Sequence, residues 1–118
     1  ILSPFKNVIK YLSLKVLKQG LPPSITLNVN FPNTDFRKIK GVKLCEQGNG
    51  VWTENFKLIK KELNKKYYQI TGKFEYDKTD LNTDSWALEN KLISIVPISI
   101  NSSEPINLNE LKYLEYDF

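Results

Sequence analysis

Along the first twenty positions apolar residues recur at helical spacing. Phe5, Val8, Ile9, Leu12 and Val16 share one side of a helical wheel, with Lys6, Lys10 and Lys18 elsewhere on it. Ser3 offers a capping hydroxyl and Pro4 suits the first helical position, while Gly20 and Pro22-Pro23 supply the stop. The pattern predicts an amphipathic helix over about 4–19. The period then changes to two: Ile25, Leu27, Val29 and Phe31 alternate with Thr26, Asn28 and Asn30, predicting a strand ended by Pro32. A helix feeding a strand through a short loop has the form of the αβ half of a βαβ unit.

Residues 41–46 alternate again and predict a second strand, followed by a turn at Gly48-Asn49-Gly50. Extended structure resumes from Val51 to about Leu58. The lysine-rich stretch 60–66 is expected as an exposed loop, with Tyr67 to Thr71 as a returning arm that closes at Gly72. The middle of the chain is therefore a β-hairpin bearing aromatic residues. Asp77, Asp80, Asn82 and Asp84 mark a polar loop, with Thr83 placed to cap a short helix through Trp86–Glu89. Leu92 to Ile100 is the most apolar run and predicts a strand covered on both faces. Asn107 with Glu110 three residues on has capping-box character, with Leu108, Leu111 and Leu114 forming a short terminal helix.

Composition narrows the chemistry. The 118 residues contain no histidine and one cysteine, Cys45. Histidine-based nucleophile systems, an internal disulfide and a cysteine-built zinc site are thereby excluded. No apolar stretch approaches a membrane span and no signal-peptide pattern opens the sequence, so a cytoplasmic setting without a membrane partner is expected. The chain has no methionine and opens Ile1-Leu2-Ser3-Pro4. Leu2 and Phe5 look like a helix entered in mid-course, so the chain is read as a piece of something longer.

Charge is unevenly distributed. Residues 1–73 hold 14 Lys/Arg against 4 Asp/Glu, whereas residues 74–118 hold 3 against 9. A basic front half suits nucleic acid or phosphate. Sixteen of the 17 basic residues are lysine, however, and only Arg37 carries the planar fork suited to bidentate phosphate contacts, which favours a solvated surface.

Candidate site residues are few. Asp77, Asp80 and Asp84 lie in one loop but lack the spacing and glycine of an EF-hand, and turn and cap roles account for them. Asn28 and Asn30 share one side of an otherwise apolar strand. If that strand belongs to an open parallel sheet, its carboxyl end, Asn30 to Asn33, faces a ligand crevice; otherwise the two amides satisfy neighbouring backbone. Trp52, Phe56, Tyr67, Tyr68 and Trp86 either stack on bases or pack the ribbon or a subunit interface. Cys45 is a small buried side chain rather than a nucleophile. These residues alone form no complete active site.

Read in order, several segments resemble the C-terminal half of the SurE (survival protein E) family. They are Gly20-Leu21-Pro22, Leu27-Asn28-Val29-Asn30-Phe31-Pro32, Lys40-Gly41-Val42-Lys43, and Gln47-Gly48 with Trp52 and Phe56. Tyr67-Tyr68 and Thr71-Gly72 follow, then Thr83-Asp84 with Ala87-Leu88, and finally Ile93-Ser94-Ile95 with Pro97. The order holds over about residues 5–115. Three departures stand out. Lys91-Leu92 replaces a Gly-Tyr pair, Gln69 stands where a tryptophan commonly follows the tyrosine pair, and the 60–66 loop replaces an Asp-Pro-x-Gly turn.

The resemblance implies an α/β fold, part of an α/β/α sandwich related to Rossmann folds with an extended β-hairpin. Residues 1–118 would form one C-terminal segment, with the metal-binding N-terminal half absent. The implied activity is hydrolysis of nucleoside 5′- or 3′-monophosphates with a divalent cation, Mg²⁺ or Mn²⁺, which requires no histidine. The cation's ligands would belong to the N-terminal half, so no catalytic or metal-binding residue is assigned here, and the segment alone is expected to be inactive. Asn28, Asn30, Thr83 and Asp84 are the candidates for a substrate-pocket wall. Homodimers or homotetramers are expected through the hairpin, about 51–72, and a C-terminal arm. A nucleic-acid-binding or self-associating module without catalysis is the alternative.

Overall fold

A computed structural model describes residues 3–103 and 105–118. Leu2 and the side chains of Ser3 and Pro4 lie outside the described part, and with them the proposed Ser3 cap. Helix α1 (Ser3–Gln19) ends where Gly20 enters the left-handed region at φ 78°, its N–H donating to Val16 O at 2.7 Å. The helix buries Val8 and Leu12, with Phe5 and Val16 half-buried beside them. Ile9, expected on the packed face, is half exposed instead.

Four strands form the main sheet: β1 (Ile25–Asn30), β2 (Gly41–Leu44), then β5 (Leu92–Ser99) and β6 (Tyr116–Asp117), in the order β1-β5-β2-β6. Strands β2 and β5 run parallel, whereas β1 and β6 pair antiparallel at the two edges. The period-two alternation of β1 sends Ile25, Leu27 and Val29 onto the core shared by α1, Val42, Leu44, Ile93, Ile95, Leu111 and Leu114. Ile93, Ile95, Leu111 and Leu114 are fully buried, each stabilising the fold by about 1.5–3 kcal/mol. On the opposite face Cys45, Val96 and Ala87 form a smaller cluster with Trp86 and Leu92, so β5 is covered on both sides as its apolar run predicts. The terminal segment is a 3-10 helix (Leu108–Leu114) capped by Asn107, whose Oδ1 accepts from Asn109 N at 3.2 Å. It is built into the chain's own core: Tyr113 Oη donates to Gly20 O at 2.6 Å, and β6 pairs with β2.

The short helix α2 (Asp84–Glu89) closes through Asn90 into Lys91, whose φ is 65°. Lys91 N donates to Leu88 O (3.1 Å), and Lys91 O accepts from Lys40 N (2.9 Å), so both sides of this left-handed residue are pinned.

Strands β3 (Val51–Glu62) and β4 (Lys65–Glu75) form a separate two-stranded hairpin. The expected loop over 60–66 is instead part of its arms, with only Leu63 and Asn64 turning. Lysine fits here because both faces of a free ribbon are solvated, and charged side chains are usual on such edges. A register shift at Ile59, between Leu58 and Lys60, re-aligns the arms before the turn. The ribbon reaches out of the body: the extents are 65 × 38 × 26 Å, and the radius of gyration is 18.7 Å. A compact chain of this length would give about 13.5 Å.

The hairpin is amphipathic across its width. In register on one face lie Trp52 with Phe74, Phe56 with Ile70, and Leu58 with Tyr68; the other face carries Thr53 with Lys73, Asn55 with Thr71, and Lys57 with Gln69. The Trp52 indole lies directly on Gly72 and the Phe74 ring on Gly50, so a Cβ at either glycine would overlap the ring above it. Every large apolar side chain of that face is exposed.

Candidate functional site

Thr83 and Asp84 sit where the end of β2 meets the start of α2. Glu46 continues the line of β2 and pairs in parallel with Thr83; Glu46 N donates to Asn82 O (2.9 Å), and Asp84 N donates to Glu46 O (3.0 Å). Buried Thr83 caps the helix, its Oγ1 accepting from Trp86 N at 3.3 Å and donating to Asp80 O at 3.1 Å. Asp84 Oδ1 accepts from Gly48 N (2.9 Å) and Ser85 N (2.7 Å), tying residues 48–50, which run as an irregular connection rather than the expected turn, to the helix start. The sequence shows Thr83 as a cap. It carries no signal for the bond from Asp84 to Gly48, because the partners are 36 residues apart.

Around this junction, a cavity of about 120 Å³ is lined by Gly48, Asn49, Tyr76, Asp77, Asp80 and Thr83. A wider cleft of about 650 Å³ opens between the hairpin base and α2, past Phe74, Tyr76, Lys78, Ser85, Leu88 and Glu89. The Tyr76 hydroxyl is buried without a hydrogen-bond partner among the described residues. Asp77 Oδ1 accepts from Thr79 N (2.8 Å) and Thr79 Oγ1 (2.6 Å), and these bonds hold its carboxyl below the usual carboxylate range. Asp80 Oδ1 accepts from Asn82 N at 3.1 Å. The three aspartates are thus spent on local turns and caps. Among the described residues, no group of three acidic, cysteine or histidine side chains stands close enough to hold a metal ion. This donor set does not fit the cation that the resemblance implies.

Asn28 and Asn30 lie elsewhere. Asn28 is exposed and Asn30 half-buried, both on the sheet face away from α1. The condition under which Asn30 to Asn33 would face a ligand crevice, a place in a parallel sheet, is not met. Strand β1 is an antiparallel edge, Asn30 pairs with Ser94, and its end lies where β2 and β5 begin. The Thr83 segment borders β2 on its far side, so β5 and β2 separate the two asparagines from Thr83 and Asp84. That is roughly 14 Å at ordinary strand spacing. The four candidates do not converge on one wall.

Two residues gain interest from the register. Ser94 lies opposite both Asn30 and Lys43, making a polar row across three strands, and its hydroxyl is fully buried without a hydrogen-bond partner among the described residues. Nothing in the linear sequence aligns these three. Cys45 is buried, its thiol pushed up to about 11 chiefly by that burial, which suits packing rather than nucleophilic chemistry. Among the described residues, no helix is long and apolar enough to cross a membrane.

Comparison with known proteins follows the same outline. Residues 2–54 match the family model for Survival protein SurE. A Flavobacterium psychrophilum protein named 5′-nucleotidase SurE is 45% identical over 98 residues, covering 82% of this chain and 38% of the relative. An Aquifex aeolicus protein of the same name is 34% identical over 102 residues, covering 86% and 40% respectively. The crystal structure of the SurE protein from Aquifex aeolicus superposes with a TM-score of 0.66 at 29% identity, over 94% of this chain and 45% of that one. The mixed α/β fold with open sheets is shared. The chain spans about two-fifths of the length of the curated relatives it matches. Matched along most of its own length, it belongs to the SurE family.

Proposed function

We propose that this chain is the C-terminal segment of a cytoplasmic, divalent-metal-dependent nucleotidase that releases phosphate from nucleoside 5′- or 3′-monophosphates. The observation that carries the reading is the match to relatives named 5′-nucleotidase SurE over 82–92% of this chain. The segment's own contribution is framework. It supplies the β2–β5 parallel pair, the junction where Asp84 holds the Gly48 backbone, and the hairpin. The Mg²⁺ or Mn²⁺ required by the whole protein is held by residues outside these 118. Thr83 and Asp84 shape their side of the pocket by fixing backbone, while Asn28 and Asn30 present amides from the opposite edge.

The hairpin is the proposed contact between copies in a dimer or tetramer. A two-stranded ribbon is marginal by itself, and its exposed stripe of Trp52, Phe56, Leu58, Tyr68, Ile70 and Phe74 is the part that a partner's surface stabilises. The C-terminal segment would have to leave its own core to act as an arm. This stripe also favours self-association over nucleic-acid binding, because the aromatic face carries few of the lysines.

The decisive assay is phosphate release from nucleoside monophosphates with Mn²⁺, first by the 118 residues and then by the chain extended with the missing half. Turnover only by the extended chain is expected. Strong turnover by the segment alone, or none by either, would refute the reading.

A further inference from the structure

Of the chain's asparagines, only Asn49 is followed by glycine. That pair has a chemistry of its own. The backbone nitrogen of the following residue can close a succinimide ring on the asparagine side chain. Glycine, with no Cβ, leaves that nitrogen uncovered and lets the backbone reach the geometry the ring requires.

The surroundings leave this reaction open. Residues 47–50 form neither helix, strand nor turn, and Asn49 is exposed. The β3–β4 ladder starts one residue after the pair, with Val51 opposite Glu75. Among the described residues, no hydrogen bond holds the Asn49 side chain or the Gly50 N–H, whereas Gly48 N donates to Asp84 Oδ1 at 2.9 Å. Asn101, followed by Ser102, is more restrained, because its Oδ1 accepts from Ser103 N at 3.2 Å.

The packing of the hairpin requires the glycine. The Phe74 ring lies on Gly50, where a Cβ would overlap it, so the ring that starts the aromatic stripe fixes a glycine directly after Asn49. The segment is also one of the two connections by which the hairpin hangs on the body, the other running from Tyr76 to Thr83. On its body side Gly48 is bonded to Asp84, and on its hairpin side Gly50 lies beneath Phe74. Asn49 spans the gap between these anchors.

We propose that Asn49-Gly50 is a self-modification site, where loss of the side-chain amide slackens the connection that aims the hairpin. Gly50 N attacks Asn49 Cγ. The N–Cγ bond forms, the Cγ–Nδ2 bond breaks, and Nδ2 leaves as ammonia with the proton that Gly50 N gives up. Water then opens the succinimide, its hydroxyl going to one imide carbonyl carbon and its proton to the nitrogen. Opening at Cγ restores the ordinary chain with an aspartate at this position. Opening at the backbone carbonyl carbon leaves an isoaspartate, whose main chain runs through Cβ and Cγ and is longer by one carbon. Both products are anionic. Asn49 shares the walls of its small cavity with Asp77 and Asp80, so the new charge is repelled from where the amide lay. The longer chain between fixed anchors adds to this, and the Gly48 bond to Asp84 is the one it breaks. The reaction consumes only water and needs no part of the nucleotidase reading.

The test ages this chain in buffer, both folded and in urea, and follows the digest by mass spectrometry against synthetic aspartyl and isoaspartyl peptides. The folded chain should convert Asn49 at least about 10-fold faster than Asn101, and Asn49→Gln, at an exposed position, should abolish the conversion. The isoaspartyl form, separated chromatographically, should exchange the Gly48 amide about 10-fold faster than fresh chain, while the β5 amides of the core keep their protection. Conversion confined to urea, or no faster at Asn49 than at Asn101, would mean that the fold shields this peptide and would overturn the proposal. Unchanged Gly48 exchange in the isoaspartyl form would overturn it as well.

Discussion

Replacing Lys91 with glycine should make the fold more stable, although it removes a side chain and adds none. Lys91 holds φ at 65°, where an L-residue brings its Cβ against the following carbonyl at a cost of roughly 1–2 kcal/mol. The residue has no room to relax, because its N–H is bound to Leu88 O and its carbonyl to Lys40 N. Its side chain is exposed, so the substitution forfeits no packing. Glycine adopts this conformation freely but loses more unfolded-state entropy, which returns about 0.5–1 kcal/mol of the gain. The net expectation for Lys91→Gly is about 0.5–1 kcal/mol of added stability, or a few degrees in Tm. Urea titration followed by circular dichroism measures it, with Lys91→Ala as the comparison. Alanine removes the same charge but keeps the strained φ, so it should leave the midpoint within about 0.5 kcal/mol of the parent. If Lys91→Ala gains as much as Lys91→Gly, the effect is one of charge and the strain account fails. If Lys91→Gly is less stable than the parent, the left-handed geometry itself is wrong.

Two further outcomes follow from other parts of the molecule. Gly72→Val should push the Trp52 indole off the ribbon and weaken association between copies, leaving core unfolding within about 0.5 kcal/mol, since the hairpin is a sheet of its own, apart from the one that carries the core. Sedimentation and urea unfolding on the same sample separate these effects, and unchanged association would count against the interface. The raised Cys45 thiol predicts slow reaction with a disulfide reagent at pH 8 in the folded chain and fast reaction in urea. Because the folded pKa of about 11 exceeds the unfolded 9.0, the folded state binds more protons between those values; stability should be complete below pH 9 and fall as pH rises toward 11. Cys45→Ala should flatten that fall, and an equal fall in the variant would assign it to other groups.

The parts of this fold legible in sequence are those written in a local period. The α1 stripe, the alternation of Ile25 to Phe31, the Thr83 cap and the Asn107 cap each depend on residues within four positions of one another. The parts that were not legible are settled by pairing across distance. Strand β1 meets β5 antiparallel, with Thr26 facing Ile98, and no feature of either segment states that direction. The lysine run at 60–66 looks like a loop because charge usually marks one, but a ribbon solvated on both faces accepts lysine along its arms. The relation among the candidate site residues is settled the same way. The alternation sets Asn28 and Asn30 on one side of their strand, and the strand order sets that strand at the other edge from Thr83 and Asp84.

Lys91 also bears on how a left-handed turn holds without glycine. Glycine at this position frees the backbone to turn from α2 into β5, and the turn survives in this chain without it. The backbone bonds that pin Lys91 are made by Leu88, one residue before the helix end, and by Lys40, one residue before β2. Both partners are held by elements that the core already orders: Ala87 and Val96 on one face, Val42 and Ile93 on the other. A residue over-determined in this way can carry strain of about 1 kcal/mol without losing its conformation. The aromatic hairpin stripe, exposed along its length, has no such support, whereas the polar junction at Asp84 stands on the frame of β2 and α2.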